Sequence, residues 1–457
     1  QSCLHVLNLS MSYKAQDNVI TIFLTQLQRE YDLKLILSSF IKIFKYPIDL
    51  AIEQESNIFN FTNNKHIDAS RRRAVSTSSH DNSSSSHASL PSSSSAAYHT
   101  KPQTKPQLPE IHPLLIPMTI LMTNLIDCNK CFQNYFADKF ASRFIIFSIY
   151  YLKYYDYSSL SSSSSTTRSN SSTTSNGTSN DTSNERSIVE LNENSVSQIL
   201  LPLLNHLLLI LTSKKLVLFK MLQTFNLNYY TNNLPNFYKL SNINGDINNL
   251  TFRDFTIIQL SNLILDNIKF NLQPNPIFYE LIYNLLPIND EILTSSHKND
   301  DSHDDLILLS AKKKSASPSA ATSSHTSSSK LSYNAAMSLL YVLSKSSNKV
   351  YLTTYATPVF KTKDIPYMIS PGFKMDLLAL LLRSITIFFT LYFDDAENLL
   401  FAMVRHQSIT HQINDSINSI SKALDMNPNL NSHIMTLKSR KRISNSLFAF
   451  QSCVIRK

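Results

Sequence analysis

Apolar residues recur at helical spacing in four stretches of this chain, and long polar tracts separate them. In the first stretch Ile20, Phe23, Leu24 and Leu27 follow the i, i+3, i+4, i+7 spacing that lines one helix face. Leu33, Ile36, Leu37 and Phe40 repeat it. Pro47 is expected to close that second helix, because proline lacks an amide donor and its ring clashes with the preceding turn. This pair predicts an αα-hairpin. Further on, Leu114–Leu125 and Phe144–Leu152 are apolar runs. Thr251-Phe-Arg-Asp254 has capping-box spacing, and Ile257, Leu260, Ile264 and Ile268 then share a face. Asp394-Asp-Ala-Glu397 reads as another capped start, with carboxylates at the positive end of a helix.

The polar tracts divide the chain into helical blocks at 1–65, 112–157, 190–296 and 331–427. Between them, 66–111, 158–189 and 297–330 are expected to be disordered linkers, since Ser, Asn and His bury too little apolar surface to offset ordering entropy. A basic tail follows at 428–457. Each helix pair carries an apolar face that only a neighbouring pair can cover. The expected fold class is therefore all-α: an irregular armadillo/HEAT-like α-solenoid interrupted by long disordered Ser/Asn-rich insertions. No fixed repeat length is visible, and long insertions are tolerated because loop-closure cost grows slowly with length.

Leu377–Phe393 is the most apolar run and poses a membrane question. Its 17 residues make a helix of roughly 26 Å, against a hydrocarbon core of about 30 Å. Arg383 lies near its middle, where insertion costs about 2.5–3.5 kcal/mol, and Ser384, Thr386 and Thr390 add polarity. Asp376 and Asp394 bracket it. Ile199–Thr212 is shorter and contains Pro202, Asn205 and His206. Both read as helices buried in protein. The alternative is an integral membrane fragment with Arg383 in a pathway.

Composition narrows the function classes. The 457 residues include three glycines, Gly177, Gly245 and Gly372, all far apart. Dinucleotide fingerprints, phosphate loops and nucleophile elbows each need several glycines, so none exists here. Net charge is +9. The basic clusters are Arg71–Arg73, Lys312–Lys314 and Lys438, Arg440, Lys441 and Arg442, all in polar segments. The last four are candidates for contact with anionic lipid or for a nuclear-import signal. With no Trp, and no aromatics interleaved in the basic runs, nucleic acid is not an expected partner. Cys3, Cys128, Cys131 and Cys453 do not form a disulfide framework in a chain this long. The chain begins without Met, which suggests part of a longer protein.

Motif by motif, chemistry finds little support. Cys128-Asn-Lys-Cys131 is half a zinc site with no second half. His406 and His411 are five apart and miss the i, i+4 spacing of a helical zinc pair. Asp394, Asp395 and Glu397 could offer oxygen ligands, but helix capping explains them more simply. Asp254 beside Arg253 could be an acid–base unit, but a capping carboxylate and a surface arginine are the simpler reading. No catalytic residue, metal or cofactor is expected.

Block four resembles a known family. Phe393-Asp394, Asn398-Leu399, Ala402, Arg405, Ile409 and His411-Gln412 are similar to the C-terminal pattern of the high-temperature-induced dauer-formation protein family, which is related to dymeclin. Three earlier segments match in the same order. They are Gln28-Arg29-Glu30 with Asp32 and the apolar run to Pro47; Asp127 with Asn129-Lys130 and Phe132; and Leu234 with Asn236, then Asp254 opening a helix. The Ser-rich spacers look like insertions of a fungal-type member. The family's N-terminal region, with its myristoylation signal, is expected to be missing. The resemblance implies a non-enzymatic, cytoplasmic helical protein, peripheral on Golgi or endosomal membranes. It would act as a scaffold or adaptor in secretory cargo sorting. Its implied partners are trafficking proteins and an anionic membrane surface, with no small-molecule substrate. A nuclear-transport-type helical adaptor, with Lys438–Arg442 as import signal, is the remaining alternative.

Overall fold

The computed structural model describes residues 2–12, 18–75, 111–163, 199–225, 234–235, 250–288, 330–357 and 368–426. Helices make up the described chain. They are α1 (Ser2–Ser12), α2 (Val19–Thr25), α3 (Glu30–Val75), α4 (Leu115–Cys128), α5 (Lys130–Lys139) and α6 (Ala141–Ser163). Then come α7 (Ile199–Thr212), α8 (Lys215–Met221), α9 (Phe252–Lys269) and α10 (Pro276–Leu285). The last five are α11 (Tyr333–Ser346), α12 (Lys349–Thr353), α13 (Pro371–Leu391), α14 (Glu397–Arg405) and α15 (Gln407–Met426). The only extended pairings among the described residues are single bridges, Thr224 with Thr251 and Leu272 with Thr357. The all-α class therefore holds.

Ser, Thr and Asn start seven of the helices. Asn18, Asn129, Thr251, Asn275, Ser332, Asn348 and Ser370 each accept a hydrogen bond from a first-turn amide through the side chain. These short oxygen-bearing side chains satisfy donors that a helix leaves open. The expected cap at Thr251 is present, its Oγ1 accepting from the Asp254 amide at 3.1 Å. The expected carboxylate cap of α14 is not. Ala396 holds the N-cap position and makes no side-chain bond, while Asp394 lies exposed in the turn before it.

Packing follows chain order. α1, α2 and α3 rest on α4; α5 and α6 rest on α8; α6 and α8 meet α9. α9 packs on α10 and lies along α11, α10 on α13, and α11 on α13, α14 and α15. One apolar core runs continuously from Leu24 to Ile413. Its N-terminal part is aromatic: Phe40, Phe44, Phe132, Phe136, Phe140 and Phe144 are all buried. Phe44 and Phe144 stack at 4.8 Å, and Phe136 meets Phe140 edge-on at 5.8 Å. Such pairs contribute about 0.5–1.5 kcal/mol beyond their burial.

Several local expectations change. Leu33, Leu37 and Phe40 are buried as the pattern requires, but Phe23 of the preceding face is exposed. α2 and α3 both pack on α4. Pro47 does not close α3; the helix continues through it to Val75, into the 66–111 tract, and carries Arg71–Arg73. Proline inside a helix costs one backbone bond. In the turn before it, Tyr151 donates its hydroxyl to the Phe44 carbonyl and ties α6 to α3. α6 likewise runs into the 158–189 tract, to Ser163. The rest of the three spacers, apart from Ile111 and Lys330, and the tail from 428 onwards lie outside the described residues.

α13 is the helix expected from Leu377–Phe393, shifted towards Pro371. Leu377, Leu378, Leu381, Leu382, Ile385, Phe388 and Phe389 are buried against neighbouring helices. Arg383 points outward, 5.9 Å from the Tyr283 ring centre. No single helix among the described residues is long and apolar enough to cross a membrane. α7 and α8 reach that threshold only together, and they meet at 92°.

Asn129 supports the packing of the first block. It caps α5, and its Nδ2 donates to the Leu24 and Leu27 carbonyls at 2.6 and 2.9 Å. Asn129→Ala should cost about 2–4 kcal/mol, since it removes a cap and strands two carbonyls near the core. Urea unfolding of both chains measures this. An unchanged midpoint would show that water replaces the side chain freely.

Candidate functional site

Some of the residues singled out in the sequence meet at one junction, the first turns of α9, α11 and α14. Arg253 and Asp254 open α9. Both are buried, at 0% and 1% exposure, with Nε 3.4 Å from Oδ1. Arg253 is thus a core residue, which overturns the surface reading. Its Nη1 donates to the Ile288 carbonyl at 3.4 Å. Asp254 Oδ2 accepts the Ser332 amide at 3.3 Å. Both charged groups thus bond to each other and to backbone, while Arg253 Nη2 is buried without a hydrogen-bond partner.

The family-like residues of block four bond the backbone of Leu331, next to Ser332. Asn398 donates to the Leu331 carbonyl at 2.7 Å, and the Leu331 amide donates to the Asp395 carbonyl at 3.0 Å. Leu331 itself is fully buried. Leu399 and Ala402 are buried, and Ile409 packs partly against the core. Phe393, Asp394, Arg405, His411 and Gln412 are exposed. Glu397 pairs with Lys330 at 2.9 Å across solvent. The signature thus combines a buried structural half with an exposed half. Lys438, Arg440, Lys441 and Arg442 lie outside the described residues.

A second junction was not anticipated. Lys374, in the first turns of α13, is 2% exposed. Its Nζ donates to Asn271 Oδ1 and to the Tyr351 and Thr354 carbonyls, at 2.9, 3.0 and 3.0 Å. It also sits 4.1 Å from the Tyr351 ring centre. The ammonium closes the carbonyl end of α12, where a positive charge complements the helix dipole. Asn271 adopts φ 48°, a left-handed conformation that asparagine tolerates, and its Nδ2 donates to the Tyr355 carbonyl at 2.8 Å. Burial pulls the Lys374 pKa down to about 8. Nearby, burial pushes the Tyr279 hydroxyl up to about 12. A lysine in a helix start carries no sequence signal of this role, because its acceptors come from distant segments.

The remaining candidates do not assemble. Cys128 and Cys131 flank the cap residue Asn129; Cys128 is half-buried, which raises its thiol pKa, and Cys131 is exposed. Thr21, Asn124, Asp127 and Cys128 line a shallow depression of about 200 Å³. His406 ends α14 and His411 lies exposed on α15. Among the described residues no cluster of His, Cys, Asp or Glu could hold a metal ion.

The model of the high-temperature-induced dauer-formation protein family matches residues 187–452, more than half of the chain. This chain belongs to that family. The match takes in α7 to α15, hence both junctions, while the aromatic block of α1 to α6 precedes it. No solved structure matches the chain.

Two outcomes follow for this member of the family. Asn398→Ala should lower stability by about 1–2 kcal/mol through the lost Leu331 bond, whereas Lys330→Ala should leave the melting temperature unchanged, its ion pair being solvent-screened. The second concerns pH. Between about 8 and the ordinary lysine value of 10.5, the unfolded chain binds a proton at Lys374 that the folded chain releases, so stability rises with pH. Chemical unfolding at pH 8.0 and 9.5 should show the natural chain gaining about 1–2 kcal/mol relative to Lys374→Met. Above pH 10 the trend reverses as tyrosines such as Tyr279 ionise first in the unfolded chain.

Proposed function

We propose that this protein is a non-enzymatic scaffold or adaptor, an irregular α-solenoid working peripherally on Golgi or endosomal membranes in secretory cargo sorting. The observation that carries the reading is membership of the high-temperature-induced dauer-formation protein family across 187–452. The packing supports the solenoid: the main helix contacts join near neighbours in the chain, from α1–α4 through α8 and α9 to α11–α15. Burial supports the non-enzymatic part, since the charged pair at the central junction is consumed internally. Partners of such a scaffold are other proteins of the trafficking machinery, bound on helix faces. Exposed Tyr341, Phe401 and Val404 are apolar contacts available on α11 and α14. Lys438, Arg440, Lys441 and Arg442 add charge for an anionic leaflet, at about 1 kcal/mol each.

A second reading rests on α7 and α8, which together are apolar enough to enter a bilayer as a broken span. Alkaline carbonate extraction of membranes from cells expressing the full chain separates the two. Release into the supernatant, with a fluorescent fusion on Golgi or endosomal puncta, is the expected result. Retention in the pellet would establish the broken span instead, and a diffuse or nuclear signal would remove the membrane assignment altogether.

A further inference from the structure

Lys374 fastens the turn after α9 to the turn after α12, and both turns carry exposed rings. Its Nζ donates to Asn271 Oδ1 in the first and to the Thr354 carbonyl in the second. The Asn271 side chain donates to the Tyr355 carbonyl at 2.8 Å, and the Thr357 amide donates to the Asn271 carbonyl at 2.8 Å. Phe270, beside Asn271, is 42% exposed, and Tyr355 is 55% exposed. Val350, one turn earlier on α12, is 70% exposed. We propose that this face, Phe270, Val350 and Tyr355 with Lys269, Lys345 and Lys349, is the surface by which the folded helices rest on an anionic phospholipid leaflet. This assignment rests on the peripheral-membrane reading above; what is new is a contact site within the helical core.

The apolar exposure is contiguous. Single exposed apolar residues are ordinary on a protein surface, whereas neighbours that share a patch mark a contact. Thr353 and Thr354 lie between Val350 and Tyr355 and are exposed. They donate their hydroxyls back to the Lys349 and Tyr351 carbonyls, at 2.9 and 3.2 Å, which leaves little free polarity between the two apolar side chains. Tyr351 and Leu352 are buried and seat α12 from below.

The charge around this patch is positive. Residues 330–357 contain lysines and no Asp or Glu, and 267–279 contains Lys269 and no Asp or Glu. Lys269, Lys345 and Lys349 are exposed, and Lys269 Nζ is 5.2 Å from the Phe270 ring centre. Lys374 lies beneath them, with hydrogen bonds only to uncharged oxygens. Acidic residues stay on the flanking helices: Asp266 half-buried on α9, Asp376 half-buried on α13, and Asp415 and Asp425 on α15.

The residue types favour a leaflet over an acidic protein. Lysine offers a point charge without the guanidinium fork that reads one particular carboxylate, and this suits a fluid array of headgroups. Phenylalanine and tyrosine on turns can enter the headgroup layer while lysine stems keep their ammonium groups in water. The junction built on Lys374 fixes both turns in place before contact, so no ordering of the chain is needed on docking.

Flotation of the full chain with phosphatidylcholine vesicles, with and without phosphatidylserine, tests this. The natural chain should float with the anionic vesicles, and added salt should release it. Each lysine near an anionic leaflet is worth roughly fivefold in affinity, so Lys269→Gln, Lys345→Gln and Lys349→Gln together should weaken binding by tenfold or more. Phe270→Ser, Val350→Ser and Tyr355→Ser together should have a similar effect. Val19→Ser, Phe23→Ser and Leu35→Ser remove exposed apolar residues elsewhere and should leave binding unchanged. Binding that survives in both face variants but is lost when Lys438, Arg440, Lys441 and Arg442 become Ser would assign the contact to the tail. The peripheral reading would then stand and this face would fall. A natural chain that ignores anionic vesicles would also overturn the face, and puncta lost from the face variants alone would then give it to an acidic protein. Carbonate extraction judges the peripheral reading separately. Amide exchange of the natural chain needs no variant: anionic vesicles should slow exchange at 270–271 and 350–355, and unchanged exchange there would overturn the contact.

Discussion

The structure depends on satisfying backbone groups at junctions where burial has cut them off from water. A buried carbonyl or amide without a partner costs about 1–3 kcal/mol. A helical protein with three glycines cannot rely on glycine turns to keep its junctions short and exposed. It uses side chains instead. Asn129 closes the end of α2 while starting α5, Lys374 closes the end of α12, and Arg253 and Asp254 meet the Ile288 carbonyl and the Ser332 amide. Each of these side chains is buried and reaches segments far away in sequence. Apolar packing of the helices is possible only because these polar ends are settled.

α9 shows how the two requirements meet. It is buried on nearly every side, with Phe255, Ile257, Leu260, Leu263 and Ile264 in the core beside Arg253, Asp254 and Gln259. A helix enclosed on all faces cannot present its open amides to water, so its start carries a cap and an ion pair. Through α6 and α8 it joins the aromatic block to the family region, and it lies along α11. The two blocks therefore share one core, although the family match begins only at residue 187.

The buried charges and the family signature share this arrangement. Charged groups in the interior bond to backbone and to one another: Arg253 to Asp254 and the Ile288 carbonyl, Lys374 to the Tyr351 and Thr354 carbonyls. The family signature joins exposed Phe393, Asp394 and Arg405 to half-buried Asn398 and buried Leu399.

The sequence by itself determined the helices. Periodic apolar faces marked α4, α7, α9 and α13 near their observed bounds, the Thr251 cap was legible from its spacing, and collinear motifs identified the family. The length and polarity of Leu377–Phe393 already argued for burial in protein. These are local signals, carried within one or two turns. Tertiary structure decided the rest. Arg253 looked like a surface residue, because nothing within a turn of it reveals that Ile288 and Ser332 converge there. Asp394 looked like a cap until the fold placed Ala396 at the helix start and used the Asp395 carbonyl elsewhere. Pro47 looked like a terminator, yet α3 runs through it where Tyr151 ties α6 to the turn before. Lys374 gave no sign at all, since its three acceptors lie 103, 23 and 20 residues away. Periodicity records which face of a helix avoids water. It does not record which distant carbonyl a buried charge will meet, and that meeting exists only once the helices are stacked.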